Sequence, residues 1–481
     1  MDIKSSVHSG VKWMGLGKLI GQLVRWTITF IVIRILSPED YAVMALSDVV
    51  FSFIVLLSTN GFAKSIVQAK DYNKRQLREL FSLIVFVNIV FCSLVILFSG
   101  EIASFYNNDK IKDILLVMTV GLFLGALEAL PLSLLNRKMK FKTVAIIQMV
   151  SAIASSVTTL VLAYLGYGVW SLVYGYLTEL FVKTVLLLIK EPVLFLPIFS
   201  IKHSKSFIAF GGYSTVTTLL WFLFAKFDVF IAGKFWEADT LGYYAVALQL
   251  AMIPLSKLMP VLREVAFPAY SRLSASGEYD RIGQYACTAN KIVILTTAPI
   301  FFGVSAISPE LVNVFLGSKW TDAIFPLQVL TLILPLRASY ELLQPALIGI
   351  GKIKIALINS LTLVIVMCPF FFWGASLGVT ELCLVWSLVY PVVYLINVRR
   401  SLKYINYPMK EFLRGMMLPI IASVFMYICL QLSAVLFVNV SDLWRLVIKV
   451  LVGAAAFGGV MMMFGRSDIT LLLRVFRKKS I

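Results

Sequence analysis

The chain has 481 residues, 60% hydrophobic and 14% charged, with a mean hydropathy of +0.90. No water-soluble fold hides that much apolar surface, so the solvent is lipid. The net charge of +18 is split among many loops and not gathered into one patch, which argues against a nucleic-acid partner.

A crossing helix needs about 20 apolar residues to cover roughly 30 Å of hydrocarbon. The sequence predicts an all-α membrane protein with fourteen spans, near 13–35, 41–62, 78–99, 113–135, 142–165, 168–189, 207–233, 241–262, 284–307, 322–348, 354–375, 380–398, 414–436 and 444–464. The first apolar run lacks a small-residue cleavage site and is read as a retained span, not a signal peptide. Pro254 and Pro260 in span 8, and Pro326, Pro335 and Pro345 in span 10, predict kinked or broken helices there.

Lys and Arg mark cytoplasmic loops. They crowd into 63–79, 136–142, 399–414 and the C-terminal tail, while 36–40 and 166–169 have none and 99–113 balances them with acids. Both termini are therefore expected in the cytoplasm. Every loop is short, so the activity belongs to the membrane or its faces.

The first six spans resemble the next six. Tyr41-Ala42-Val43 recurs as Tyr244-Ala245-Val246, each after a short acidic loop. Leu134 to Lys140 is matched by Leu347 to Lys354. Trp170-Ser171-Leu172-Val173-Tyr174 recurs as Trp386-Ser387-Leu388-Val389-Tyr390, although the pairs Gly168-Val169 and Gly378-Val379 suggest another register. An even number of spans per copy makes the repeats parallel, with a site expected between them.

A charge at mid-membrane costs roughly 2.5–3.5 kcal/mol on the insertion scale, so it faces protein or a watery cavity. Span 1 places Lys18, Gln22, Arg25 and Thr29 on one helical face, and Arg25 has no carboxylate one turn away. Span 7 carries Lys226 and Asp228, which do not face each other. Span 8 carries Lys257, span 9 Lys291, and span 10 Arg337 and Glu341. Asp48, Glu128 and Glu179 lie in spans 2, 4 and 6, with Lys183 four residues after Glu179. The bland readings are that Glu179/Lys183 and Arg337/Glu341 neutralise each other within a helix, and that Lys257 and Lys291 snorkel to a face. The functional reading is a cation-rich cleft for an anionic group, with phosphate the obvious candidate. Its substrate-binding residues are Arg25, Lys18, Gln22, Lys226, Lys257, Lys291 and Arg337. Asp228, facing the cleft, is the candidate for ion coupling, followed by Asp48 and Glu341.

No G-x-x-x-x-G-K-[ST] occurs, and the only histidines are His8 and His203. An ATPase, a histidine metal site and a catalytic triad are all disfavoured, and no cofactor is expected.

Four segments carry a family resemblance: Leu36-Ser37-Pro38-Glu39-Asp40-Tyr41; Ile66-Val67-Gln68-Ala69-Lys70; Leu130-Pro131 through Asn136-Arg137-Lys138-Met139-Lys140-Phe141; and Gly166-Tyr167-Gly168-Val169-Trp170-Ser171-Leu172-Val173. With them the chain resembles the Wzx-type flippases, of the colanic-acid and teichuronic-acid exporter kind, in the polysaccharide transporter family of the multidrug/oligosaccharidyl-lipid/polysaccharide superfamily. The resemblance implies two six-helix lobes, 1–195 and 196–405, then a helix pair and basic cytoplasmic tail over 406–481. It implies alternating access in a bacterial cytoplasmic (inner) membrane. The cargo would be an undecaprenyl-diphosphate-linked oligosaccharide for exopolysaccharide or O-antigen synthesis. Coupling to H+ or Na+, and partnership with polymerase and chain-length machinery, come with the resemblance. A flippase for a peptidoglycan lipid precursor, a drug/cation antiporter of the same fold, and a membrane enzyme acting on lipid-linked sugars remain the alternatives.

Overall fold

The computed structural model describes residues 25–58, 73–193, 195, 198, 205–275, 279–437 and 439–477. Among these, twelve helices are long and apolar enough to cross a bilayer. They are α2 (Pro38–Ser58), α3 (Lys74–Phe105), α4 (Lys110–Arg137), α5 (Phe141–Tyr164), α6 (Val169–Lys190), α8 (Ala238–Ala275), α9 (Tyr279–Leu311), α10 (Ile324–Gly349), α11 (Ile353–Leu377), α12 (Val379–Tyr404), α13 (Met409–Leu436) and α14 (Asp442–Phe464). Each occupies one predicted span. Two further helices, α1 (25–35) and α7 (Lys205–Phe235), lie in spans 1 and 7 outside those twelve, and a short helix α15 (Arg466–Arg477) follows α14. The large apolar side chains that stay exposed, such as Leu97, Ile365 and Leu436, are what a hydrocarbon solvent accepts.

The tight turns have one recurring cause. Asn107, Met139, Gly166, Gly351 and Asn406 take positive φ just past a helix end. In each case the next N–H donates five residues back: Asn108 to Ala103, Lys140 to Leu135, Tyr167 to Leu162, Lys352 to Leu347, and Tyr407 to Leu402. This closure satisfies carbonyls that the helix leaves orphaned. Met139 and Gly351 sit at matching places in the two repeat segments. At the other end of a helix, Asn73 and Gln76 form a reciprocal capping box for α3.

Packing divides the chain into two compact units, Met1–Gly242 and Tyr243–Ile481. The division falls after α7, one span later than the repeat boundary expected at 195/196, because α7 packs on α2 within the first unit. In that unit, Leu77, Leu80, Phe81 and Ile84 of α3 interlock with Ala126, Ala129, Leu130 and Leu134 of α4. In the second, Ala306 of α9 meets Met426 and Leu430 of α13, and Val452 and Phe457 of α14 pack against them.

Two expectations from sequence are corrected. Neither α8 nor α10 is interrupted at its prolines. The irregular turns are π-helical instead, at Val312–Leu316 and Val385–Val389. The repeat register is that of the Gly-Val pairs: Gly168 and Gly378 both cap a helix that begins with the following valine. Trp170 is therefore the second residue of its helix, whereas Trp386 lies inside the π-turn, and the two tryptophans are not equivalent.

Candidate functional site

Two of the resemblance segments touch. Asp40, at the start of α2, accepts the Ser37 N–H and hydroxyl on Oδ2 and the Val169 N–H at 2.9 Å on Oδ1. Gly168 has φ +54°, and a Cβ there would stand 3.0 Å from Asp40 Oδ1, so this junction requires glycine.

The mid-membrane charges of the first unit come together as three ion pairs between helices. Arg25 Nη2 donates to both carboxylate oxygens of Glu179, at 3.3 and 3.4 Å, linking α1 to α6. Lys183, one turn further along α6, reaches Glu128 of α4 at 2.9 Å. Lys226 of α7 reaches Asp48 of α2 at 2.9 Å. Tyr176 of α6 lies within electrostatic reach of all three carboxylates. Two of the pairs are open, with side-chain exposures of 37% and 35% for Arg25 and Glu179, and 38% and 41% for Lys226 and Asp48.

These pairings revise the reading of single residues. Glu179 and Lys183 do not neutralise each other along α6, because each has a partner on another helix. Lys226 finds its carboxylate across the helix boundary, as its offset from Asp228 requires. Asp228 itself is fully buried, and its Oδ1 accepts the Val229 N–H at 2.8 Å, so it does not face an open cleft. Within these three pairs each cation meets a carboxylate, so the paired groups balance in charge. Lys18 and Gln22 lie outside the described residues.

The second unit holds its charges differently. Arg337 and Glu341 keep their one-turn relation at 3.8 Å, 7% and 10% exposed, and the guanidinium lies 5.9 Å from the Trp386 ring. Trp386 in turn donates to Tyr244 at 3.1 Å. Lys291 is claimed by Asp468 of α15 at 2.5 Å, and Lys257 is exposed. Lys449 of α14 and Glu310 of α9 pair at 2.6 Å, each 3% exposed, and Lys449 also donates to the Ala306 carbonyl. Sequence reading passed over this pair because Glu310 was assigned to a loop. A lysine within an apolar run, Lys449 in span 14, was the signal available. Among the described residues no group of His, Cys, Asp or Glu could hold a metal.

Residues 31–325 match the family described as polysaccharide biosynthesis protein. The chain is 24% identical over 361 residues to the lipopolysaccharide biosynthesis protein WzxC of Escherichia coli (strain K12), covering 74% of this chain and 72% of the relative. It is 22% identical over 396 residues to the succinoglycan biosynthesis transport protein ExoT of Rhizobium meliloti (strain 1021), covering 82% and 79%. Its fold is similar to that of a solved structure of lipid II flippase MurJ, inward closed conformation, with TM-score 0.75, 16% identity, and coverage of 95% of this chain and 99% of that one.

Proposed function

Because the chain belongs to the polysaccharide biosynthesis protein family, we propose that it is a flippase for a lipid-linked oligosaccharide. It carries an undecaprenyl-diphosphate-linked repeat unit from the inner to the outer leaflet of a bacterial cytoplasmic membrane. It moves its substrate and does not transform it. The observation that carries the reading is coverage: relatives named for lipopolysaccharide biosynthesis and succinoglycan transport align with about three quarters or more of this chain.

Arg25 is the residue assigned to the diphosphate. It is a planar bidentate donor in an apolar run whose sequence also holds Lys18 and Gln22, and its present partner is an open carboxylate. Lys226, paired as openly with Asp48, is the second cation. The basic loops support a cytoplasmic location for both termini. Single cysteines at positions 73 and 138 are then labelled from inside, and at 107 and 318 from outside. Labelling of position 107 only from the cytoplasm contradicts that orientation.

The test of the function is deletion in the native host, followed by identification of the lipid-linked intermediate that accumulates. An undecaprenyl-diphosphate oligosaccharide retained on the inner leaflet and released by the restored gene is the expected result. Accumulation of lipid II with normal polysaccharide export favours the peptidoglycan-precursor alternative.

A further inference from the structure

One line of charge in the first unit has an unmatched end. It runs from Arg25 to Glu179, then one helical turn along α6 to Lys183, and from Lys183 to Glu128 Oε1. The other oxygen of Glu128, Oε2, is buried without a hydrogen-bond partner. The charged and titratable groups around Glu128 are few. Lys183, Glu179 and Tyr176 come from α6, and the next charges out are Arg25 of α1, on Glu179, and Asp48 of α2, which acts on Tyr176 and is held by Lys226 of α7. Between Leu80 and Gly100 of α3, and beyond Lys142 of α5, there is no charged residue.

A diphosphate offers Arg25 more charge and better-spaced oxygens than one carboxylate does, so the two ligands compete for the same guanidinium. We propose that the diphosphate takes Arg25 from Glu179, that Glu179 turns to Lys183, and that a proton then joins the Glu179/Glu128 pair at Glu128 Oε2. The inference rests on the assignment of Arg25 to the diphosphate. Its physical basis is charge balance. Once Glu179 leaves Arg25, two carboxylates share one ammonium, and an uncompensated charge in a poorly hydrated place is neutralised by taking up a proton. The proton comes from the aqueous phase and forms one O–H bond on Oε2. No other bond is made or broken. The spacing of Glu179 and Lys183 lets a side-chain rotation, with no helix movement, carry the exchange.

The experiment measures binding to the purified full-length protein by titration calorimetry in buffers of different ionisation enthalpy. Inorganic pyrophosphate and undecaprenyl diphosphate serve as separate probes. The wild-type protein takes up about one more proton per bound probe than Glu128→Gln or Glu179→Gln, and its affinity falls about tenfold more steeply per pH unit through the carboxyl titration. Titration of the probe itself is common to all three proteins and cancels. Glu179→Gln removes the carboxylate that competes for Arg25, and Glu128→Gln leaves Lys183 free to draw Glu179 away; both bind the probes at least as tightly as wild type, whereas damage to the fold weakens binding. Glu179→Gln changes an open side chain, which keeps the test available if Glu128→Gln fails to fold. Uptake by undecaprenyl diphosphate alone supports the relay with the lipid headgroup as its ligand, and uptake with both probes supports it with phosphate chemistry sufficient. Equal proton uptake in wild type and both variants overturns the relay alone. If neither probe binds the wild type, the diphosphate assignment is overturned, and the relay with it.

Discussion

Among the described residues, the two units hold their most prominent intramembrane charge pairs differently. Arg25–Glu179 and Lys226–Asp48 in the first unit are open, with every side chain more than a third exposed. Lys449–Glu310 and Arg337–Glu341 in the second are closed, with none more than a tenth exposed. An open pair contributes little to stability and yields its cation to a better ligand. A closed pair is costly to break, because removal of one member strands the other. The two open pairs of the first unit can change partners at little cost, whereas the closed Lys449–Glu310 pair of the second ties α14 to α9.

The largest effect expected from breaking this contrast is on transport. Arg25→Ala abolishes appearance of the lipid-linked oligosaccharide on the outer leaflet while the protein inserts and melts like wild type. Arg25→Lys keeps the charge but not the fork and retains partial transport. Wild-type export by Arg25→Ala removes this residue from the site.

The next effect is on stability and belongs to the second unit. Glu310→Ala leaves Lys449 buried without its carboxylate, at a cost of about 3–5 kcal/mol. The double change Glu310→Gln with Lys449→Met recovers most of it. Thermal melts in detergent read both, and equal melts for the single and double variants contradict a coupled pair. The contrast sharpens at Asp48→Asn, which opens Lys226 and shifts the melt by less than about 1 kcal/mol. A loss of several kcal/mol there would make the first unit's pairs structural too.

A smaller effect tests the junction between the starts of α2 and α6. Gly168→Ala must hold φ at +54° against the Asp40 carboxylate and costs about 1–2 kcal/mol by thermal melt. The smallest is Lys110→Ala. The Lys110–Glu39 pair is open on both sides, so neither the melt nor export changes measurably.

The fold was largely legible in the sequence because a helix in lipid must satisfy its own backbone, and a run of apolar residues then has one outcome. Twelve predicted spans return as apolar helices at their places. Proline marked no break, since α10 runs through Pro335 and Pro345 while the π-turns fall elsewhere. The site was less legible. Residue types and depth singled out Arg25, Lys226 and Glu179, but helical spacing pairs neighbours on one helix only. The partners that matter, Glu179 for Arg25 and Asp48 for Lys226, are more than 150 residues away in sequence. Asp228 was placed in a cleft by its helical face, and burial against neighbouring helices decided otherwise. Glu310 was hidden by an error of a few residues in where span 9 ends.

The central claim is that this chain moves a diphosphate-linked sugar lipid across the bilayer by way of the open pairs of its first unit. The direct measurement reconstitutes the purified protein in phospholipid vesicles containing an undecaprenyl-diphosphate oligosaccharide. A sugar-specific probe that cannot cross the membrane then follows the lipid's transfer between leaflets. Wild-type protein accelerates the transfer, and Arg25→Ala, though folded, leaves it at the rate of protein-free vesicles. Equal acceleration by wild type and Arg25→Ala, or none by either, contradicts the account.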